Sequence, residues 1–177
     1  AINIPGNVAN IGNSGFCQCT SLTSVTLLDG VTRIGYLAFW GCTALTALTL
    51  PDSVTDIGSL AFYNCASLAS VVIGNGVTNI GDHAFYNCES LAAVLFTGDA
   101  PMVGDSTFSE TPDILTLYHF PDAADWSSTL AGIPAEPIPL SYTSDGTRVT
   151  VTGFEGSYAG HHLFLPATSN GCPVTAI

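Results

Sequence analysis

The side chains of this sequence with chemical potential are six cysteines, four histidines and a scatter of aspartates. Cys19, Cys42, Cys65 and Cys88 recur every 23 residues, and Cys17 and Cys172 stand outside that series. Paired thiols would make disulfides, and thiols with histidines would hold zinc. The spacing argues against both. A fixed period puts one thiol on the same rung of successive units, about 4.8 Å apart if the units stack as strands. Their side-chain vectors would then run parallel, which disfavours a bridge. The four are expected to be reduced and buried, a ladder of small apolar groups. Cys17-Gln18-Cys19 is too tight for zinc and lacks a matching His or Cys pair. Cys17 and Cys172 would pair only if the fold brings them together.

The remaining candidates carry less. His161 and His162 are adjacent, so in a strand they point to opposite faces, and His83 and His119 fall in separate units. Asp99 with Asp105, or Asp122 with Asp125, would help hold calcium, but no EF-hand or nonapeptide calcium repeat surrounds them. They read as solvated turn carboxylates. Nucleophile-elbow, phosphate-loop and dinucleotide motifs are missing, and without lysine there is no Schiff-base chemistry. No catalytic residue, metal site or cofactor is expected.

Composition narrows the partners. The 177 residues carry a net charge of −12, with Arg33 and Arg148 the only strong cations. Nucleic acids and anionic membrane surfaces need lysine and arginine that this chain lacks. Its apolar runs are too short to span a bilayer. With 47% hydrophobic and 9% charged residues, the chain is expected to fold rather than stay disordered.

What would position any site is the repeat itself. Each 23-residue copy carries Val (Val8, Val31, Val54, Val77), then Ile-Gly (Ile11, Ile34, Ile57, Ile80), Phe (Phe16, Phe39, Phe62, Phe85), the ladder Cys and Leu (Leu22, Leu45, Leu68, Leu91). It closes on an apolar pair: Val25/Leu27, Leu48/Leu50, Val71/Ile73, Val94/Phe96. One such unit cannot bury its apolar face alone, so copies must stack into a leucine-rich solenoid. Alternation in "LASVVI" predicts a half-buried strand, "VTNI" a second extended piece after the turn Gly74-Asn75-Gly76, and "GDHAFYNC" a short helical or 3₁₀ turn.

The solenoid is expected over residues 1–120, as four clear copies and an eroded fifth in which Thr111 replaces the ladder cysteine. A proline-rich cap and linker follows over 121–139, with Trp126 as a plug on the last coil. Residues 140–177 read as a small β-hairpin module, turning at Asp145-Gly146 and leading into a new array: Leu165-Pro166 and Val174–Ile177 match Leu50-Pro51 and Val54–Ile57. Ala1–Pro5 reads as the tail of a repeat strand, so both ends look cut.

Two candidate binding surfaces follow from this frame. Residues flanking the buried strand pair should point outward: Ser24 and Thr26, Ala47 and Thr49, Ser70 and Val72, Ala93 and Leu95, Thr116 and Tyr118. This face is uncharged and grows more apolar toward Leu95; it is either a partner surface or a solvated sheet. A lysine at Val72 is expected to weaken binding without unfolding. The second surface is an aromatic ladder of Trp40, Tyr63 and Tyr86, which either stacks on sugar rings or packs on adjacent turns.

The stretch "SVTDIGSLAFYNCASLASVVI" (Ser53–Ile73) resembles the repeat of the BspA-like leucine-rich repeat family, over about residues 1–120. The hairpin module ending "GCPVTAI" is similar to a module that precedes such arrays in large bacterial surface proteins. The resemblance implies an extracellular or cell-surface location, adhesion to protein or glycan, and no enzymatic activity. The alternatives are a self-assembling surface-layer or filament subunit, with head-to-tail self-association at the cut ends, and an accessory targeting module of a larger secreted enzyme.

Overall fold

A computed structural model of the chain describes residues 1–121 and 123–138, and the backbone of four further strands, Leu140–Ser144, Val149–Phe154, Thr168–Ser169 and Cys172–Ala176. The repeat is a β-solenoid with two strands per coil. One series comprises Ile2–Ile4, Val25–Leu27, Ala47–Thr49, Ser70–Ile73, Ala93–Phe96 and Thr116–His119. The other, Asn10–Ile11, Arg33–Ile34, Asp56–Ile57, Asn79–Ile80 and Met102–Val103, forms a continuous five-stranded sheet. Each coil pairs in parallel with the next at a register of one repeat, as in Arg33↔Asp56 and Val71↔Val94.

The core is the repeat pattern turned inward. Val31, Ile34, Phe39, Cys42, Leu45 and Leu48, with their counterparts in the next two coils, are almost fully buried. Ala38, Ala61 and Ala84 are completely buried, so coils meet closely beneath each phenylalanine. The rings of Phe16, Phe39, Phe62, Phe85 and Phe108 stack along the axis at centroid distances of 5.1, 5.3, 5.2 and 5.6 Å. The interplanar angles stay within 9°.

The expected helical or 3₁₀ turn does not form. In its place every coil runs through consecutive turns whose N–H groups alternate in direction. Ala38, Trp40 and Cys42 donate three residues back within their own coil, whereas Leu37, Phe39 and Gly41 donate to Ser59, Ala61 and Tyr63 of the next. Leu37 and Gly41, with φ of 57° and 70°, turn left-handed to aim those donors outward. A continuous helix would keep all donors internal and leave this side of the coils unjoined.

The second left-handed position is Gln18, Gly41, Asn64, Asn87 and Glu110 in successive coils. Asn87 donates its side-chain amide to the Asn64 carbonyl oxygen at 2.9 Å, starting an inter-coil ladder that Gly41 interrupts. A Cβ at Gly41 would meet only Gln18 atoms at 3.7 Å or more. Asparagine tolerates this conformation, so Gly41→Asn is expected to extend the ladder and raise stability by roughly 0.5 kcal/mol. Urea denaturation checks it; a lowered midpoint would contradict the ladder's contribution.

Two short strands form within the proline-rich segment. Ile133–Pro137 adds a parallel strand beside Thr116–His119, and Thr129–Leu130 folds back antiparallel to it. Pro134 and Pro137 have no N–H to give, and the bonds run instead from Ala135 N–H to the Ser128 carbonyl and from Ile138 N–H to the His119 carbonyl. Trp126 closes the coil end: its ring stacks on His119 at 4.6 Å and meets Phe96 edge-on at 4.9 Å. Its indole N–H donates to the Gly98 carbonyl at 3.2 Å. Farther along, Leu140–Ser144 and Val149–Phe154 pair antiparallel, and Cys172–Ala176 runs parallel to Val149–Phe154. The Asp145-Gly146 turn, the Leu165-Pro166 match and the His161-His162 pair lie outside the described residues.

Candidate functional site

Strand alternation sorts the sheet face as the pattern dictates, but only over half its length. Val25, Leu27, Leu48, Leu50, Val71 and Ile73 point into the core. Ser24, Thr26, Ala47 and Thr49 are exposed, and Ser70, Val72, Ala93, Thr116 and Tyr118 are half-buried. Leu95 breaks the expectation. It points away from the main core yet is only 6% exposed, because Phe120 and Ile138 cover it, with Val72, Tyr118 and Ala123 packed around them. The growing apolarity toward Leu95 and Tyr118 thus serves an internal contact. Burial of that kind favours the folded chain by about 25 cal/mol per Å² of apolar surface. Val72 supports this second cluster, so Thr49 is the better site for a charged probe.

The uncovered half carries a groove. The strand ladder of this face is interrupted between Val25–Leu27, which pairs with Ile2–Ile4, and Ala47–Thr49, which begins a six-stranded sheet. The bond from Thr46 N–H to the Thr23 carbonyl, 3.4 Å, is stretched relative to its counterparts from Ala69 and Ala92, 2.9 and 3.0 Å. Across the interruption lies a concavity of about 370 Å³, lined by Val25, Thr26, Leu27, Ala47, Leu48, Thr49, Pro51, Ser70 and Val72. Ionisable side chains are missing from its lining. The period foretold the outward residues but not the groove, which arises where two identical-looking strands fail to pair.

The aromatic ladder is a stack of coins. Tyr63 and Tyr86 lie 5.0 Å apart at 7°, Trp40 tilts 33° from Tyr63 at 6.4 Å, and His83 leans on Tyr86 at 5.3 Å. Ring faces within the stack are turned toward one another. Edges and phenol hydroxyls are left for solvent, a poor platform for a sugar but a stable inter-coil contact.

The cysteine ladder holds for three thiols. Cys42, Cys65 and Cys88 are fully buried, and each S–H donates to a carbonyl of the preceding coil: Phe16, Phe39 and Phe62, at 3.2, 3.3 and 3.3 Å. Cys19 departs from the expectation. It is exposed, whereas the coil before each of the other three thiols covers that rung. Burial pushes the Cys42 thiol up to about 11, aided by the nearby Cys19, and pushes Cys88 up to about 12. Cys65 is raised by burial and by the thiols on either side.

In the folded chain, a disulfide reagent is expected to label Cys17 and Cys19 and to spare Cys42, Cys65 and Cys88 until unfolding; the Cys172 side chain lies outside the described residues. Mass mapping that found a bridge between two ladder thiols would contradict this. The same shifts make folding sensitive to alkali. The native thiols hold their protons above the unfolded value of 9.0, so stability is full below about pH 9 and falls as pH rises toward 11–12. Unfolding midpoints across that window would show it.

Among the described residues no group of three or more His, Cys, Asp or Glu side chains is placed to hold a metal. The Asp99 carboxylate accepts from Ala124 N–H at 2.7 Å, and that of Asp82 from Asp105 N–H at 2.9 Å, so both tie coils together. Asp122 lies outside the described residues. No helix among them is long and apolar enough to cross a membrane.

Two strands per coil, a phenylalanine spine and a 23-residue register are the geometry of a leucine-rich solenoid. The sequence model of the BspA type leucine rich repeat region matches residues 1–116, in six copies. The chain belongs to the BspA-type leucine-rich repeat family. One strand series runs through six strands from Ile2–Ile4 to Thr116–His119, and the opposite sheet through five. The BspA-type fold is shared with the leucine-rich repeat protein of T. pallidum, at 30% identity and a TM-score of 0.60 over 66% of this chain. A leucine-rich cell surface protein from Faecalibacterium prausnitzii A2-165 has the same fold, at 24% identity and a TM-score of 0.54 over 84% of this chain. The chain spans 57% and 44% of those two proteins' solved chains. A search of curated proteins gave no match.

Proposed function

We propose that this chain is a rigid binding module of a cell-surface protein, and that it engages a protein partner through the uncovered half of its strand face. The observation that carries the reading is the uncharged groove of about 370 Å³ beside Thr26, Ala47, Thr49 and Ser70, on a face whose other half the chain itself seals. BspA-type membership and the cell-surface protein of the same fold support the location. Solenoids present extended surfaces of this kind for recognition rather than for covalent chemistry, so the module acts by binding and not as an enzyme.

Glycan adhesion rests on the Trp40, Tyr63 and Tyr86 ladder and is the weaker reading, because those rings spend their faces on one another. Head-to-tail association between copies is a further reading, and Trp126 and Ile133–Pro137, which close the far coil, weigh against it. An accessory role beside a catalytic domain would employ the same groove.

The test is attachment of chain-coated beads to immobilised matrix proteins and to cells. Thr49→Lys, at an exposed position, is expected to reduce attachment at least tenfold while leaving the unfolding midpoint unchanged. Equal attachment by the two forms would remove the strand face as the binding surface.

A further inference from the structure

The geometry points to a specific occupant for the groove: an extended peptide of a partner protein that inserts one aromatic or aliphatic side chain beside a proline and flanks it with lysine or arginine. This rests on the strand face being the binding surface and adds the chemistry of what binds. Three observations lead there.

The first is that the molecule already shows what this face accepts. Phe120, which precedes Pro121, and Ile138 lie across outward-pointing Leu95, supported by Val72. Val72 also forms a wall of the open groove. The apolar strip is therefore continuous from the sealed half to the open half, and one side of it already holds a side chain from an irregular, proline-containing segment. Aromatic anchors in such clefts dominate the energetics of peptide capture.

The second is the shape of the groove. Its volume of about 370 Å³ lies near the lower end of the ~300–1,000 Å³ typical of ligand clefts. Thr26, Thr49 and Ser70 supply hydroxyls for a peptide backbone, while Ala47, Pro51 and Val72 supply the apolar walls.

The third is charge. The groove lining carries no ionisable side chain, but Asp29 and Asp52 come two and three residues after the strands Val25–Leu27 and Ala47–Thr49, and the Asp52 carboxylate keeps its negative charge while accepting from Asn75 N–H. The chain as a whole has a net charge of −12, and among the described residues the only arginine, Arg33, lies on the other sheet. A cationic peptide is drawn to such a surface and an acidic one repelled.

Fluorescence anisotropy tests this on the whole chain with three labelled hexapeptides. The first is two lysines, phenylalanine, proline and two lysines; the second replaces phenylalanine by alanine; the third replaces the lysines by glutamates. The first should bind, with the second and third at least tenfold weaker, and Thr49→Lys should abolish binding of the first. Raising salt from about 0.05 to 0.3 M should weaken it severalfold. Equal affinity for the phenylalanine and alanine peptides, or unchanged binding by Thr49→Lys, would overturn the proposal. If no hexapeptide binds while Thr49→Lys still reduces bead attachment, the occupant is wrong and the surface stands. If both fail, the strand face is not the site.

Discussion

Replacing Phe62 by alanine is expected to cost about 3–5 kcal/mol, the loss seen when large core aromatics are truncated. Phe62 is fully buried in the middle of the spine, with Phe39 5.3 Å on one side and Phe85 5.2 Å on the other. Truncation removes two ring contacts at once and leaves a cavity that cannot collapse, because the flanking coils are held by backbone bonds such as Phe39 N–H to the Ala61 carbonyl and Phe62 N–H to the Ala84 carbonyl. In a solenoid each unit is stabilised by its neighbours, so a central defect uncouples the two halves. Chemical denaturation should show a lowered midpoint or a split transition. Phe16→Ala, at the half-buried end of the spine and stacked on one side only, should cost less than half as much. Equal losses at the two positions would show that the spine does not couple the coils.

The second large effect is expected from a single methyl group. A Cβ at Gly74 would lie 2.5 Å from the Pro51 carbonyl oxygen, 2.6 Å from its carbon and 2.8 Å from the Asp52 nitrogen. All three are backbone atoms of the preceding coil, so no side chain can swing aside. Gly74→Ala must push two coils apart against their register and is expected to destabilise by about 3 kcal/mol, the upper part of the overpacking range. The control is Gly12→Ala, where nothing stands within 4 Å of the added carbon. That change should leave stability within about 0.5 kcal/mol. Thermal unfolding of both variants decides the matter; a tolerated Gly74→Ala would mean the coils are free to separate there.

Gly74 also shows how far a sequence pattern reaches. As part of Gly74-Asn75-Gly76 it reads as turn punctuation, a conformational role. The structure assigns it a different one. Its φ is not among the positive values, and glycine is required because the adjoining coil passes too close for a side chain. The turn after each Ile-Gly is a second case. Its length suits a helical turn, but the left-handed Leu37, Leu60 and His83 carry no sequence signal, since they are tolerated only to direct N–H groups at the next coil. The proline-rich stretch reads as cap and linker, and only the fold shows that Ile133–Pro137 within it is a strand, because the edge at Thr116–His119 supplies its partner.

The sequence by itself determined whatever depends on a position within one repeat. Burial of the repeat Val, Ile, Phe, Cys and Leu in the second to fourth copies follows from the period, because identical units stacked in register give each rung the same surroundings. The outward face was legible for the same reason, since side chains alternate along a strand. Tertiary structure decided what depends on which coil a residue occupies. Leu95 and Thr49 hold equivalent outward positions, but Phe120 and Ile138 fold back over one and not the other. Cys19 and Cys65 share a rung, but only Cys65 has a coil on each side. The groove exists because one inter-strand ladder of six is interrupted while the opposite sheet stays continuous. A period makes repeats equivalent, and the ends, caps and breaks of the stack remove that equivalence.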